Sequence, residues 1–236
     1  MTAAAPAIAI RGLVKDYRGL RPLRVRELTV APGELVTVSG LDATEASVLV
    51  DLITGATLPD SGEVAVGGVS TASLSSQDDW LGFLDRFGIV NPRVVLLDHL
   101  SVAQNLAVPL TLSVDPLAPD VRARVESMAS EVDLRPGLLD APVASVDAVD
   151  RLRVRLGRAL ALEPRVILVE HPTLNLDFSQ AGAVADALAG VVRPDMALLV
   201  LTGDPAVSNL AARALTWEAR TGGLQAVRGW RRRLGH

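Results

Sequence analysis

Apolar and polar residues alternate over residues 7–17 and 23–30, the period of strands with one covered face, and predict a half-exposed antiparallel sheet. Ala-Pro-Gly-Glu at 31–34 reads as a turn, because Pro presets one φ and Gly relieves the next. Residues 35–40, Leu-Val-Thr-Val-Ser-Gly, form an apolar run that suits a strand covered on both faces. Helical spacing follows at 45–54, closed by Gly55. Residues 58–70 predict turn, strand and turn, and 81–90 a strand with a loop.

From about 100 to 160 the pattern becomes helical. Ser101 caps one helix, residues 118–134 place apolar side chains near the helical period, and 146–162 predict a long helix with arginines on one face. A buried strand at 165–172, a helix at 179–192, a second buried strand at 196–203 and a hairpin at 216–230 complete the chain. The order is antiparallel β, α/β, a helical insert, then α/β again, which predicts a core sheet with helices on both faces.

Composition narrows this picture. The chain has 236 residues, enough for one large domain or a domain with a small inserted lobe. Aromatic residues make up only 3%, so the core must be built from Val, Leu, Ile and Ala. A net charge of −4 gives no general attraction to nucleic acid or anionic lipid, and the arginines over 150–158 read as an exposed helix face. Cysteine is absent, which excludes disulfides and thiolate metal sites. His99 and His171 have no second histidine at ligand spacing. The longest apolar run, 196–202, is too short to span a bilayer, and residues 1–10 do not read as a signal peptide. A soluble, cytoplasmic protein is expected, with the basic stretch at 229–236 as a solvated terminus. Lys15 is the only lysine.

Several phrases, in order, carry a resemblance. They are Ala-Pro-Gly-Glu-Leu-Val-Thr-Val-Ser-Gly at 31–40, Leu-Pro-Asp-Ser-Gly-Glu-Val-Ala-Val at 58–66, His-Leu-Ser-Val-Ala-Gln-Asn-Leu at 99–106, and Gly-Arg-Ala-Leu-Ala-Leu-Glu-Pro-Arg-Val-Ile-Leu-Val-Glu-His-Pro at 157–172. Over essentially its whole length the chain resembles the ATP-binding cassette of ABC transporters, and within it the lipoprotein-release and macrolide-export type. The resemblance implies a P-loop NTPase-like α/β fold with a mostly parallel core sheet, an antiparallel β subdomain and an α-helical subdomain over roughly 90–160. It implies a single nucleotide-binding domain over 1–236, and ATP with magnesium as its ligands.

Residue by residue, the family's phosphate loop falls on Gly40, Leu41, Asp42, Ala43, Thr44, Glu45, Ala46 and Ser47, followed by Val48. In that pattern glycines let backbone N–H groups close on phosphate, and a lysine reaches the β- and γ-phosphates. Only Gly40 and Ser47 keep the family residue; Ala46 stands at the lysine position and Glu45 at the last glycine. Unit charges about 5 Å apart at an effective dielectric of about 20 repel by roughly 3 kcal/mol, which opposes a triphosphate beside Glu45. By the same resemblance Ser47 and Glu170 would hold magnesium. His171 takes the place of the catalytic glutamate, Arg86 that of the Q-loop glutamine, Gly203 that of the switch histidine, and Tyr17 that of the adenine-stacking aromatic. The signature segment falls on Val146, Asp147, Ala148, Val149 and Asp150, with an acid where the family has serine.

In the family each composite site pairs one chain's phosphate loop with another's signature. Both halves are substituted here, which argues against ATPase cycling in a homodimer or a heterodimer. The expectation is a degenerate ATP-binding subunit docked on a membrane permease at the inner face of the cell membrane, with a second cassette as a partner and neither nucleic acid nor direct membrane insertion. The alternative is a soluble pseudo-ATPase acting as a scaffold or regulator; a conventional ATPase with unusual residues is the third reading.

Overall fold

A computed structural model describes residues 5–227. The basic stretch at 229–236 and the first four residues lie outside the described residues. The chain begins with β1 (Ile8–Lys15) and β2 (Leu23–Val30), paired antiparallel with Ile8 opposite Val30 and Lys15 opposite Leu23. It continues through β3 (Leu35–Ser39), α1 (Ala43–Ile53), β4 (Ser61–Val66) and β5 (Val69–Ser70). Next come α2 (Gln77–Leu84), β6 (Phe87–Val90), α3 (Val102–Ala107), α4 (Pro119–Glu131) and α5 (Ala148–Leu160). The last part holds β7 (Val166–Glu170), α6 (Ala181–Gly190), β8 (Ala197–Leu201), α7 (Pro205–Leu210), β9 (Arg213–Glu218) and β10 (Gly223–Ala226).

Two sheets result. The smaller has the order β2-β1-β4-β5 and is antiparallel throughout. The larger has the order β10-β9-β3-β8-β7-β6 and is parallel except for the β9–β10 hairpin. The mostly parallel core sheet and the antiparallel companion are therefore as the sequence predicts.

The apolar runs in β3, β7 and β8 are buried because the core sheet is covered on both faces, and alternate residues serve two cores. Val166 and Leu168 of β7 join Ile8, Ile10, Leu49 and Val64 in a core between the two sheets and α1. Ile167 and Val169 point the other way, into a core with Leu106, Met128, Leu156 and Val184 from α3, α4, α5 and α6. Gly88 brings β6 close to α5: a Cβ there would lie 2.5 Å from the Ala159 carbonyl oxygen.

Two local expectations change. Residues 81–84 close a helix rather than opening a strand, because Ser76 and Asp79 form a reciprocal capping box and Asp78 and Asp79 fill the first turn. The arginines of α5 are not a freely exposed face. Arg155 Nε donates to the Val94 carbonyl at 3.1 Å and an Arg158 Nη to that of Val95 at 3.0 Å, so the segment after β6 partly covers them.

Candidate functional site

Ligands of open α/β sheets gather at the carboxyl ends of the strands, where loops meet helix starts. Here β3, β6, β7 and β8 end on that edge. β3 leaves through Gly40, whose φ of 93° and close approach to Trp217 leave no space for a side chain; a Cβ would sit 2.7 Å from the Trp217 carbonyl oxygen. α1 then starts at Ala43, earlier than the predicted Glu45.

The start of α1 is partly capped by its own residues. Glu45 N–H donates to Asp42 Oδ1 at 2.8 Å, and Asp42 N–H donates to Glu45 Oε2 at 2.9 Å, a complete capping box. Ala46 N–H donates to the Asp42 carbonyl at 2.9 Å. Ala46 itself is fully buried in the core under α1, Val48 packs half-buried beside it, and Thr44 is exposed. Tyr17 reaches this loop from the end of β1, its hydroxyl donating to Glu45 Oε1 across 3.4 Å. Burial first, then the charges of Glu45 and Asp42, raise the Tyr17 phenol above its ordinary value.

Across the strand ends lies a second set. Glu170, last residue of β7, is 4% exposed, and its Oε1 accepts from Asn91 Nδ2 at 3.2 Å and from an Arg93 Nη at 3.1 Å. The other Nη of Arg93 donates to Ser47 Oγ at 2.8 Å. One guanidinium therefore spans from α1 to β7. Asn91 holds the turn that presents Arg93, because its Oδ1 accepts from the N–H groups of Arg93 and Val94, both at 3.0 Å. Asp51, one turn beyond Ser47, is raised above the usual carboxylate range by burial, with Arg93 acting in the opposite direction.

His171 follows Glu170 at a φ of 45°, fixed by its N–H on the Leu201 carbonyl. Its Nε2 is buried without a hydrogen-bond partner. Gly203 follows β8 with open space around it. Asp147 caps α5 by accepting from Asp150 N–H at 2.8 Å, and Asp150 is buried against Arg153 at 2.8 Å and Arg135 at 3.5 Å. Val146 and Val149 point into the core and Ala148 is half-buried.

Residues 23–174 match the family model described as ABC transporter. The chain belongs to the ABC transporter family. Among similar proteins, the lipoprotein-releasing system ATP-binding protein LolD of Alcanivorax borkumensis is 32% identical, over 78% of this chain and 82% of its own. The sulfate/thiosulfate import ATP-binding protein CysA of Gloeobacter violaceus is 34% identical over 72% of this chain, which spans only 47% of that protein. The structure of cbiO1 from Clostridium perfringens, described as part of the ABC transporter complex cbiONQ, agrees in fold. Its TM-score is 0.77 over 94% of this chain and 87% of that one, at 20% identity. The cassette is thus an ATP-binding-subunit relative with the expected α/β architecture, and none of its helices among the described residues is long and apolar enough to cross a membrane.

Of the positions marked in the cassette's sequence, Tyr17, Gly40, Thr44, Ser47, Glu170, His171 and Gly203 lie on this edge. Arg86 does not. It lies at the opposite end of β6, where its carbonyl accepts from the N–H groups of Arg165 and Val166 and its guanidinium sits 5.5 Å from the Phe83 ring centre. Parallel pairing puts Phe87 opposite Val166 and Val90 opposite Val169, so the residue that meets Glu170 is Asn91. Asn91 and Arg93 are the site residues that sequence reading missed. Their signal was positional: they follow the carboxyl end of a short apolar strand, whereas Arg86 precedes it.

Proposed function

We propose that this cassette is a degenerate ATP-binding subunit that docks on a membrane permease at the inner face of the membrane and binds or hydrolyses ATP poorly, if at all. The observation that carries this reading is the Arg93 guanidinium between Ser47 Oγ and Glu170 Oε1, the two groups that the family resemblance gives to magnesium. A cation tied to the chain neutralises Glu170, and a divalent ion would have to displace it.

Other contacts support the same reading. The N–H groups of Asp42, Glu45 and Ala46, which a phosphate at a helix start would take, already have partners. The carboxylates that cap them repel an approaching phosphate by roughly 3 kcal/mol at about 5 Å in an effective dielectric of about 20. Ala46 offers no cation. Asp147 caps α5 in the same way at the signature segment. His171 stands at the catalytic-glutamate position, and no group among the described residues hydrogen-bonds its buried Nε2 to orient it as a base. These residues do not fit a magnesium triphosphate. The transporter names of the relatives support docking on a permease.

Titration of ATP into the pure protein by calorimetry, with and without magnesium, tests the nucleotide half. No binding tighter than millimolar is expected in either condition. Sub-millimolar binding that requires magnesium and is lost in Ser47→Ala would overturn it. Isolation of the tagged chain from detergent-solubilised membranes tests the docking half, and recovery without any permease would overturn that.

A further inference from the structure

Beside this site is a half-open cavity of about 240 Å3 between α5, the turn after β6 and the segment after β7. Arg151, Arg155, Asn91, His171, Asn175 and Leu176 are among its lining residues. A single water needs only about 10–15 Å3 of such space, so the pocket has ample room for a small oxyanion.

Its charge is unusual. Arg151, Arg155 and Arg158 recur along one face of α5, and among the described residues none of them has a carboxylate partner. Each donates only to backbone carbonyls: Arg151 to Ala144 at 2.6 Å and Val146 at 3.3 Å, Arg155 to Val94 and Arg158 to Val95. Arg153 alone on this helix is ion-paired, to Asp150 and Asp133. Glu170 also lines the cavity, but its charge is met by Arg93. Burial, followed by the charges of Arg151 and Arg158, pulls the Arg155 guanidinium below its ordinary value. A half-buried cation without a counter-charge, next to a space large enough for one, is an arrangement that an anion relieves.

We propose that this cavity is a small-anion site, in which Arg151 and Arg155 bind a phosphate or a short carboxylate. The ligand touches both α5 and the ends of β6 and β7, so it braces the helical part of the chain against the core sheet. The proposal stands apart from the phosphate loop, whose own carboxylates repel the same ligand.

The experiment is thermal unfolding and calorimetry of the full chain with inorganic phosphate and, separately, succinate, against sodium chloride at matched ionic strength. A ligand at about ten times its Kd should raise the midpoint by about 3–5 °C over the chloride control. The more effective of the two probes identifies the ligand class. In Arg155→Gln the response should be lost while the protein stays folded, since glutamine keeps a donor for Val94. Arg151→Gln, also in the cavity lining, should weaken binding at least tenfold and serves if the first variant folds poorly. No shift with either anion, or a shift equal in the wild type and both variants, overturns the proposal. A phosphate response that survives Arg155→Gln but disappears in Ser47→Ala places the anion at the phosphate loop, which overturns this inference and also counts against the degenerate reading. Loss in Arg155→Gln with retention in Ser47→Ala supports the cavity whatever the ATP titration gives.

Discussion

Arg93 and Glu170 form a pair of unequal exposure, with side chains 60% and 4% accessible. The buried carboxylate depends on its partners more than the exposed guanidinium does. Arg93→Ala leaves Glu170 with Asn91 alone, and should cost about 1–3 kcal/mol in chemical denaturation, the range for losing a hydrogen bond to a partly screened charge. Double substitution with Glu170→Gln should recover part of that loss, because the uncompensated charge is then gone. Tyr17 gives a second test at this scale. Its folded value is raised, so its contribution is fully present below the ordinary 10.0 and is lost as pH rises through the folded value. As the only tyrosine it can be followed by phenolate absorbance alone. Its midpoint should lie above that of the unfolded chain, and Glu45→Gln should bring it down part of the way, burial remaining. Individual residues were the hardest level to read from sequence. Ser47 and Glu170 follow from motif spacing, but a bridge from Arg93 depends on how an irregular turn folds back, which no periodicity encodes.

Helix starts are where local chemistry and function meet in this cassette. Asp42 and Asp147 each cap the helix at a place where the resemblance puts a phosphate contact. Replacing either with alanine removes the acceptor for a helix N–H and should cost about 1 kcal/mol by thermal or urea unfolding. Asp42→Gly should cost only a few tenths, since glycine tolerates the cap backbone. The capping pattern was legible where it stood before an apolar run, as at Ser101. It was missed at Ser76, where an aspartate replaces the usual glutamate of the box and α2 buries only Phe83. Strands with both faces covered were legible because few other elements sustain such short, uninterrupted runs of Val, Leu and Ile. The extent of α1 was not, because the loop's sequence can serve an open phosphate loop or a capped helix, and only the folded contacts separate them.

The molecule as a whole turns on one sheet with two cores. Neighbouring residues of β7 feed opposite sides, so neither core can open without disturbing the strand that supports the other. Unfolding followed by tryptophan fluorescence and by far-ultraviolet circular dichroism should therefore give coincident transitions. The described tryptophans both lie on the antiparallel-sheet side, Trp80 Nε1 donating to the Thr54 carbonyl and Trp217 Nε1 to that of Arg24. Much of the helical signal comes from the other side, so separate midpoints would show that the halves melt independently. The carboxylate caps have one more consequence at this scale. On the function proposed above, a subunit that supplies its own negative charge to both helix starts would keep its shape whatever the energy charge of the cell.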